Sequence, residues 1–305
     1  MKIKLIGIVY TRIKYLCHQI TRSNRYKLTR RLIRHIESSD CDLPAKEKII
    51  LKKILSKTLV SQINYPFMKE YNYRIVPVLR DKTKSLYYVR HNKKKLYFKR
   101  GLSKMEIRNM YNGLCLEQDA RSPHSYFAFS IRYRPTDIAA DIGAAEGIWA
   151  LDIVENVREI YLFECEADWV EALQATFEPW KDKVRIVNKY VSDFNDEKNT
   201  TLDDYFYNKN LFPDIIKVDI EGAEVACMQG ASKLLTRPVR HLLLCTYHNY
   251  SDFSVLSEIM KSHHFEVQPS EGYMIPVYTE PDYSCKDITK LIRKGLIHAY
   301  KQETT

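Results

Sequence analysis

Residues 137–147 read DIAADIGAAEG and contain the features that decide the fold. Their apolar first half predicts a buried strand over Asp137–Ile142, and the residues of Gly147–Asn156 have helical spacing directly after it. The small residues between strand and helix allow the backbone to turn sharply, so that a ligand can approach the start of the helix closely. The turn has the spacing G-x-x-x-G and lacks the G-x-G-x-x-G spacing of dinucleotide-binding turns.

The alternation of strand and helix continues to residue 263. Further strands are predicted over residues 159–163, 184–188, 214–218 and 240–246, and further helices over residues 169–177, 224–235 and 253–263. Alternation at this spacing is typical of a parallel sheet with helices on both faces. The predicted fold class is therefore α/β, with a Rossmann-like domain over residues 131–305.

Charge divides the chain into two parts. Residues 1–130 carry 29 Lys and Arg against 9 Asp and Glu, whereas the remaining residues carry 19 against 29. Residues 1–70 are predicted to be a basic helical region, with one helix starting at Pro44. Either its lysines and arginines form a solvated face over a buried apolar stripe, or residues 1–60 contact an anionic membrane or partner.

Residues 71–130 are predicted to form a region on the substrate side of the domain. Strands are expected over Tyr73–Leu79, Ser85–Arg90 and Lys95–Phe98, followed by a helix over Met105–Leu116. The polar segment Glu117–Tyr126 has no periodicity and is predicted to be a loop that closes over a binding site. Its candidate substrate-binding residues are Arg121, His124 and Tyr126.

Neither a targeting segment nor a disulfide framework is expected. The uncharged apolar run Leu5–Tyr10 is shorter than the core of a signal peptide and far shorter than a membrane span. Seven cysteines are scattered, odd in number and without a Cys-x-x-Cys pair, which argues against disulfides and against a zinc site. We expect a cytoplasmic protein, either soluble or peripheral to a membrane, and no metal ion.

Three carboxylates follow the apolar strand that ends at Val218. The segment reads Asp219-Ile220-Glu221-Gly222-Ala223-Glu224, and it lies over the sheet edge where such folds bind ligands. Clustered like charges raise one another's pKa, which is a reason to expect functional roles. Asp219 is predicted to serve both cofactor binding and catalysis, Glu221 to orient a substrate hydroxyl, and Glu224 either to bind substrate or to cap the next helix.

Glu164 ends the second strand and follows Asp141 by 23 residues. A carboxylate at this position is placed to accept hydrogen bonds from both hydroxyls of a ribose, which indicates an adenosine ligand. The turn would hold the rest of that ligand, with Asp141 or Glu146 near an ammonium group. The predicted cofactor-binding residues are Asp141, Gly143, Ala145, Glu146, Gly147, Glu164 and Asp219, with Ser192 and Asp193 near the adenine.

His248 follows the fifth strand at the same edge and is the candidate general base for a hydroxyl proton, as an alternative to Asp219. His263 and His264 end a helix and are expected to have no chemical role.

Together these segments resemble the FkbM family of class I S-adenosylmethionine-dependent methyltransferases. The resemblance rests on residues 141–147, Phe163-Glu164, Thr201-Leu202-Asp203-Asp204 and residues 217–224, and extends to Glu117–Tyr126 and residues 292–299. It implies a mostly parallel seven-stranded sheet with the last strand antiparallel. It also implies S-adenosylmethionine as cofactor and O-methylation of a sugar, a glycan precursor or a small metabolite.

Two other classes of function share some of these features. An NAD-dependent or nucleotide-sugar oxidoreductase would use the same adenosine site, but it needs a phosphate cradle that the sequence lacks. A nucleic-acid methyltransferase or binding protein would use the basic residues before residue 130. Those lysines alternate with apolar helix positions and lack regularly placed aromatics for base stacking, so nucleic acid is not the expected partner.

Overall fold

The computed structural model describes residues 22–277 and 285–301, so the apolar run Leu5–Tyr10 lies outside the described residues. The described residues of Met1–Met68 and Gly272–Arg293 form one compact unit, here called the helical unit. Those of Lys69–Glu271 and Lys294–Thr305 form the second, here called the sheet unit. The predicted boundary near residue 70 is close to this division. The sheet unit, however, combines the predicted segments 71–130 and 131–305, and residues 272–293 belong to the helical unit.

The helical unit contains α1 (Arg22–Glu37) and α2 (Ala45–Leu55), as the sequence predicts. Pro44 lies immediately before α2 as its N-cap and not within its first turn. Apolar residues of both helices face each other and are covered by residues from the later part of the chain. This core consists of Leu28, Leu32, Ile36, Leu51, Leu55, Val60, Ile275 and Leu291.

The sheet unit begins with a small antiparallel sheet and a helix. Its strands β1 (Leu79–Asp81), β2 (Leu86–His91) and β3 (Lys94–Phe98) pair in that order, and α3 (Lys104–Glu117) follows. The predicted strand over residues 73–79 is wrong. Residues 73–75 form a short 3₁₀ turn, because the Asn72 side chain accepts a hydrogen bond from the Arg74 amide and Pro77 has no N–H to give to a ladder.

The main sheet has seven strands in the order β11-β12-β10-β9-β4-β5-β6. Its members are β4 (Ile138–Ile142), β5 (Glu159–Phe163), β6 (Val184–Val187), β9 (Ile215–Val218), β10 (His241–Cys245), β11 (Glu266–Pro269) and β12 (Leu296–Tyr300). Strand β12 is antiparallel to both of its neighbours, and the other pairs are parallel. The predicted Rossmann-like sheet with an antiparallel last strand is confirmed. Two short strands, β7 (Tyr190–Val191) and β8 (Asn199–Thr200), pair separately.

The helices of the main sheet are α4 (Ile148–Ile153), α5 (Ala167–Phe177), α6 (Glu224–Gln229) and α7 (Asp252–Ser262). Helices α4 and α6 are shorter than predicted. Helix α6 ends at Gly230, where a Cβ atom would lie 2.2 Å from the Ser192 carbonyl oxygen, so a side chain does not fit. Across the described residues, no helix is both long and apolar enough to span a membrane.

The sheet brings four predicted site segments to one edge. Ile142 is the register partner of both Phe163 and Val218, and Val218 is in turn the partner of Leu244. Because these strands are parallel, the residues that follow them lie side by side at the carboxyl edge of the sheet. This edge, here called the cofactor edge, carries the candidate site.

Candidate active site

The turn after β4 is in backbone contact with the end of β9. Gly143 has φ +81°, and a Cβ atom there would lie 1.9 Å from the carbonyl oxygen of Asp219. Gly147 has φ +80°, and its missing side chain leaves space for Leu173 and Phe177 of α5. Only glycine satisfies both the backbone angle and the contact at these two positions. The turn and the Asp219 segment therefore form one surface, as the sequence predicts.

Glu164 is tied to the same turn. One carboxylate oxygen accepts a hydrogen bond from the Ala145 amide at 2.8 Å, and the other accepts one from the Glu166 amide at 2.8 Å. A carboxylate has about four lone-pair sites, and Oε1 also accepts a weak hydrogen bond from the Cys165 thiol at 3.6 Å, so Oε2 keeps the clearer capacity for a ligand hydroxyl. The structure thus places an acceptor suited to a ribose directly beside the small-residue turn.

The predicted contact of Asp141 with a ligand requires a correction, because the side chain is buried against Lys217. The Asp141 side chain is 1% exposed, and one oxygen pairs with the Lys217 Nζ atom at 2.8 Å. Lys217 also donates to the Gly143 carbonyl oxygen at 3.0 Å. Burial raises the pKa of Asp141, while Asp141, Asp219 and Glu146 oppose the effect of burial on Lys217 and raise its pKa. This buried ion pair holds the turn against β9.

Asp219 lies at the centre of the cofactor edge. The Tyr126 hydroxyl donates a hydrogen bond to its Oδ2 atom at 2.8 Å, and the Nε2 atoms of His124 and His248 each lie 3.7 Å from one of its oxygens. Burial would raise the pKa of Asp219, but the positive charges of Lys217 and His248 and the hydrogen bond from Tyr126 outweigh burial and lower it. Asp219 is therefore a persistent anion at neutral pH.

His248 is enclosed by carboxylates. Its Nδ1 atom lies 2.9 Å from Glu224 Oε1, and its Nε2 atom lies 3.7 Å from Asp219 and 3.6 Å from Glu221. Burial would lower the pKa of His248, but the hydrogen bond to Glu224 and the three negative charges raise it to about 9. The imidazole is thus oriented with Nε2 toward the cofactor edge.

Glu224 also requires a correction. Its side chain is 0% exposed, accepts a hydrogen bond from the Ile220 amide at 2.9 Å and holds His248, so it is out of reach of a substrate. Glu221, by contrast, lies at the surface with a positive φ of 59° and a side chain that is 46% exposed. That position fits the predicted contact with a substrate hydroxyl.

The loop before β4 contributes two of its three predicted residues. Tyr126 bonds to Asp219, and the His124 ring contacts the rings of Tyr126 and Tyr247 with centroids 5.3 Å apart. Burial lowers the pKa of His124 to about 4, so this imidazole is neutral. Arg121 instead forms ion pairs with Asp119 and Glu70 and makes no contact with Asp219 among those described, which argues against a role in the site.

The remaining predicted cofactor residues are less closely tied to the turn. Glu146 is buried, and its charge acts on Lys217. The Ser192 amide donates to Thr200 in the β7–β8 pair, and Asp193 is exposed after it. Their contact with an adenine stays a prediction.

Two members of the site were missed in the sequence. Lys217 interrupts the apolar run of β9, and a buried lysine in such a run requires a carboxylate partner, which was the available signal. Cys245 ends β10 with its sulfur 3.7 Å from His124 Nε2, and an apolar strand gives no signal for that contact.

Some of these donor atoms are close enough together for a metal ion, namely those of His124, Asp219 and Cys245 and those of Asp219, Glu224 and His248. The hydrogen bonds between Tyr126 and Asp219 and between Glu224 and His248 explain why these donor atoms lie close together. The geometry therefore gives no reason to assign a metal.

Solved structures that resemble the chain share low sequence identity with it. A methyltransferase FkbM from Methylobacillus flagellatus KT is 16% identical with a TM-score of 0.46, covering 65% of this chain and 52% of its own length. A precorrin-6y C5,15-methyltransferase from Geobacter metallireducens GS-15 is 14% identical with a TM-score of 0.38, covering 56% and 82%. SMU.1697c from Streptococcus mutans, solved in complex with SAH, is 13% identical with a TM-score of 0.37, covering 56% and 91%. The chain thus spans about half the length of the first of these proteins.

A comparison with curated proteins gives no match. The family model described as a methyltransferase FkbM domain matches residues 185–285, which include Asp219, Glu221, Glu224 and His248. The glycine turn and Glu164 lie before the matched segment and complete the site by the contacts described above. The matched segment covers about a third of the chain, and its similarity to the methyltransferase FkbM domain agrees with the motifs at the cofactor edge.

Proposed function

We propose that the protein transfers a methyl group from S-adenosylmethionine to a hydroxyl group of a sugar, a glycan precursor or a small metabolite. The observation that carries this proposal is the continuous set of contacts along the cofactor edge. Glu164 contacts the turn at Ala145, the turn contacts Asp219 at Gly143, and Asp219 lies beside His248. An adenosine site and a candidate base therefore adjoin each other.

The residues at this edge suit the chemistry of the cofactor. Glu164 would accept hydrogen bonds from the ribose hydroxyls, and the small residues at 143–147 would leave space for the chain that ends in the amino acid. Asp219 and Glu221 would place negative charge near the sulfonium, which carries a positive charge. When bound, S-adenosylmethionine supplies the electrophilic methyl group.

The chain itself must position an acceptor and remove its proton. His248 Nε2 faces the cofactor edge, and we assign it the role of accepting the hydroxyl proton, with Glu221 orienting that hydroxyl. Asp219 is the second candidate for the proton, but its lowered pKa makes it a weaker base than His248. Because only neutral His248 accepts a proton, turnover should rise with pH and level off above about 9.

The experiment is a transfer assay with isotopically labelled S-adenosylmethionine against surface polysaccharide precursors and small hydroxylated metabolites. Once an acceptor is found, His248→Gln and Asp219→Asn are compared with His263→Gln and Asp182→Asn, which make the same chemical changes outside the site. Loss of a general base costs about 10²–10⁴-fold in turnover, and we expect that loss in His248→Gln. Near-normal turnover in His248→Gln would remove the assignment of His248 as base, and near-normal turnover in Asp219→Asn as well would remove both candidates.

Two alternatives predict different binding. An oxidoreductase would bind NAD, whereas the proposed enzyme binds S-adenosylhomocysteine and not NAD. A nucleic-acid methyltransferase would bind RNA with an affinity that falls steeply with salt concentration. Isothermal titration with the two cofactors and a salt series with RNA separate the three functions.

A further inference from the structure

Glu224 has no direct place in the chemistry proposed above, yet it is the most completely buried carboxylate at the cofactor edge. Among the described residues its Oε1 atom has two contacts, the Ile220 amide and His248 Nδ1, each at 2.9 Å. The first contact fixes the carboxylate to the segment that begins α6. The second contact orients the imidazole ring of His248 relative to that segment.

We propose that Glu224 is a positioning residue for His248, which keeps the imidazole proton on Nδ1 and leaves Nε2 to receive the proton of the acceptor hydroxyl. This inference rests on the proposed function of His248. The two nitrogens of an imidazole ring are distinct, and the hydrogen bond made by one of them determines which one can accept a proton. Residue 224 thereby acts on the reaction without touching substrate.

The effect of Glu224 on the titration of His248 can be distinguished from the effects of the other charged groups around the ring. Asp219 and Glu221 face Nε2 from the end of β9, and His124 in the loop before β4 and Asp252 in α7 interact electrostatically with the imidazole. Glu224 is the carboxylate within hydrogen-bond distance of the ring. Neutralising it should therefore change the titration of His248 more than neutralising any of the others.

The test is Glu224→Gln, which keeps an oxygen for the Ile220 amide and for Nδ1–H but removes the charge. NMR of ¹⁵N-histidine-labelled protein follows the ring nitrogens directly, and His248→Gln assigns the His248 signals among the nine histidines. We expect the pKa of His248 to fall by about one unit or more in Glu224→Gln and to stay unchanged in Glu258→Gln, an exposed matched control. Glu224→Ala, if it folds, should also lose the preference for a proton on Nδ1.

The same variants give a kinetic readout. The rise of turnover with pH should move toward acid in Glu224→Gln, while the affinity for S-adenosylhomocysteine is retained. An unchanged His248 titration would overturn the positioning role even if His248 is the base. Conversely, a shifted titration with normal turnover in His248→Gln would refute the role of His248 as base and leave the Glu224 contact established, so the two failures are distinguishable.

A different observation, on the helical unit, carries a second proposal. Residues 22–68 contain 11 Lys and Arg against 4 Asp and Glu. Two of these arginines are structural, because Arg25 donates to the Val60 carbonyl and Arg31 to the Cys285 carbonyl. The exposed cations form one stripe on each helix, at Lys27, Arg30 and Arg34 of α1 and at Lys46 and Lys53 of α2, whereas Lys52 pairs with Glu37 at 2.6 Å.

Each stripe also exposes one large apolar side chain. Tyr26 is 54% exposed and lies beside Arg30, and Ile49 is 68% exposed between Lys46 and Lys53. Cations that surround an exposed tyrosine or isoleucine match the interface of an anionic bilayer, where the charges meet lipid headgroups and the apolar groups enter the boundary layer. We infer that this basic helical surface docks on anionic lipid.

Sedimentation of the full chain with vesicles tests this inference. We expect binding to phosphatidylcholine vesicles that contain phosphatidylglycerol, weakened by salt, and little binding to phosphatidylcholine alone. The variant Lys27→Glu/Arg30→Glu/Arg34→Glu should bind at least about tenfold more weakly. The control Lys181→Glu/Lys198→Glu/Lys261→Glu changes the net charge equally on exposed residues of the sheet unit and should bind as the wild type does. Equal loss in both variants, or tighter binding to RNA than to the anionic vesicles, would overturn the inference.

Discussion

Lys217 shows how a single residue connects the fold with the site. It occupies a fully buried strand, and its ammonium group is balanced by Asp141 at 2.8 Å. Removing one member of a buried ion pair leaves the other uncompensated and costs about 3–5 kcal/mol. We therefore expect Lys217→Met to lower the free energy of unfolding by that amount, as measured by urea denaturation. The double variant Asp141→Leu/Lys217→Met should be more stable than Lys217→Met, and a lower stability would contradict this account.

His248 makes stability depend on pH in a defined direction. Its pKa is about 9 in the folded protein and about 6.5 when unperturbed, so the folded state binds its proton more tightly. The resulting stabilisation, about 3 kcal/mol, is fully present below pH 6.5 and is lost as the pH rises through 9. The difference in unfolding free energy between wild type and His248→Gln should therefore shrink between pH 6.5 and pH 9.5. A difference that grows with pH would show that the pKa is lowered.

For individual residues, the sequence predicted which side chains lie close together at the site but not which of them contact a ligand and which contact a buried partner. Asp219, Glu164 and His248 follow strands of one parallel sheet, so their convergence could be derived from strand order alone. Asp141 and Glu224 were predicted to touch ligands because they are acidic and close in sequence to the site. Whether such a carboxylate faces solvent or a buried partner depends on side-chain packing, which periodicity does not report.

At the scale of elements, the turn after β4 is the most constrained segment. Gly143 and Gly101 have nearly the same positive φ, +81° and +84°, but a Cβ atom at Gly101 would have no atom within 4 Å, whereas one at Gly143 would meet the Asp219 backbone. Gly101→Ala should therefore cost about 1 kcal/mol of backbone strain and leave cofactor affinity unchanged. Gly143→Ala should cost more and weaken S-adenosylhomocysteine binding. Equal effects of the two substitutions on binding would show that the turn does not shape the site.

Helices and strands were predicted well where burial gives the sequence a regular apolar pattern. They were predicted poorly where local side-chain hydrogen bonds or a proline disrupt regular backbone pairing. The five parallel strands are fully or largely apolar, and their predicted and observed limits differ by one residue at most. The segment 73–79 has a strand-like composition, but Asn72 and Pro77 prevent a regular ladder. Helix α6 ends at Gly230, where the backbone packs against residue 192, which is distant in sequence.

For the whole molecule, the division into two units predicts that a substitution in the core of the helical unit changes stability but not cofactor affinity. Leu32 is fully buried in the core of the helical unit, and all proposed cofactor residues belong to the sheet unit. Leu32→Ala should destabilise the protein by about 2–5 kcal/mol in urea denaturation. Its affinity for S-adenosylhomocysteine, measured below the unfolding transition, should match that of the wild type. A loss of affinity in folded Leu32→Ala would contradict a cofactor site confined to the sheet unit.

The basic charge of residues 1–130 predicted that the chain divides into two parts but not which residues belong to each unit. Residues 272–293 belong with the N-terminal helices because Ile275 and Leu291 complete their core. Contacts between segments separated by more than two hundred residues leave no periodic signal in either segment, so composition could not reveal them.

We propose that the cofactor edge binds an adenosyl ligand between Glu164, the glycine turn and Asp219. Isothermal titration of the full chain with S-adenosylhomocysteine tests it most directly, with Glu164→Ala as the site variant and the exposed Glu155→Ala as control. We expect saturable binding to wild type and Glu155→Ala and at least about tenfold weaker binding to Glu164→Ala, because both ribose hydrogen bonds are lost. Absence of binding to the wild type, or equal affinity in all three proteins, would contradict it.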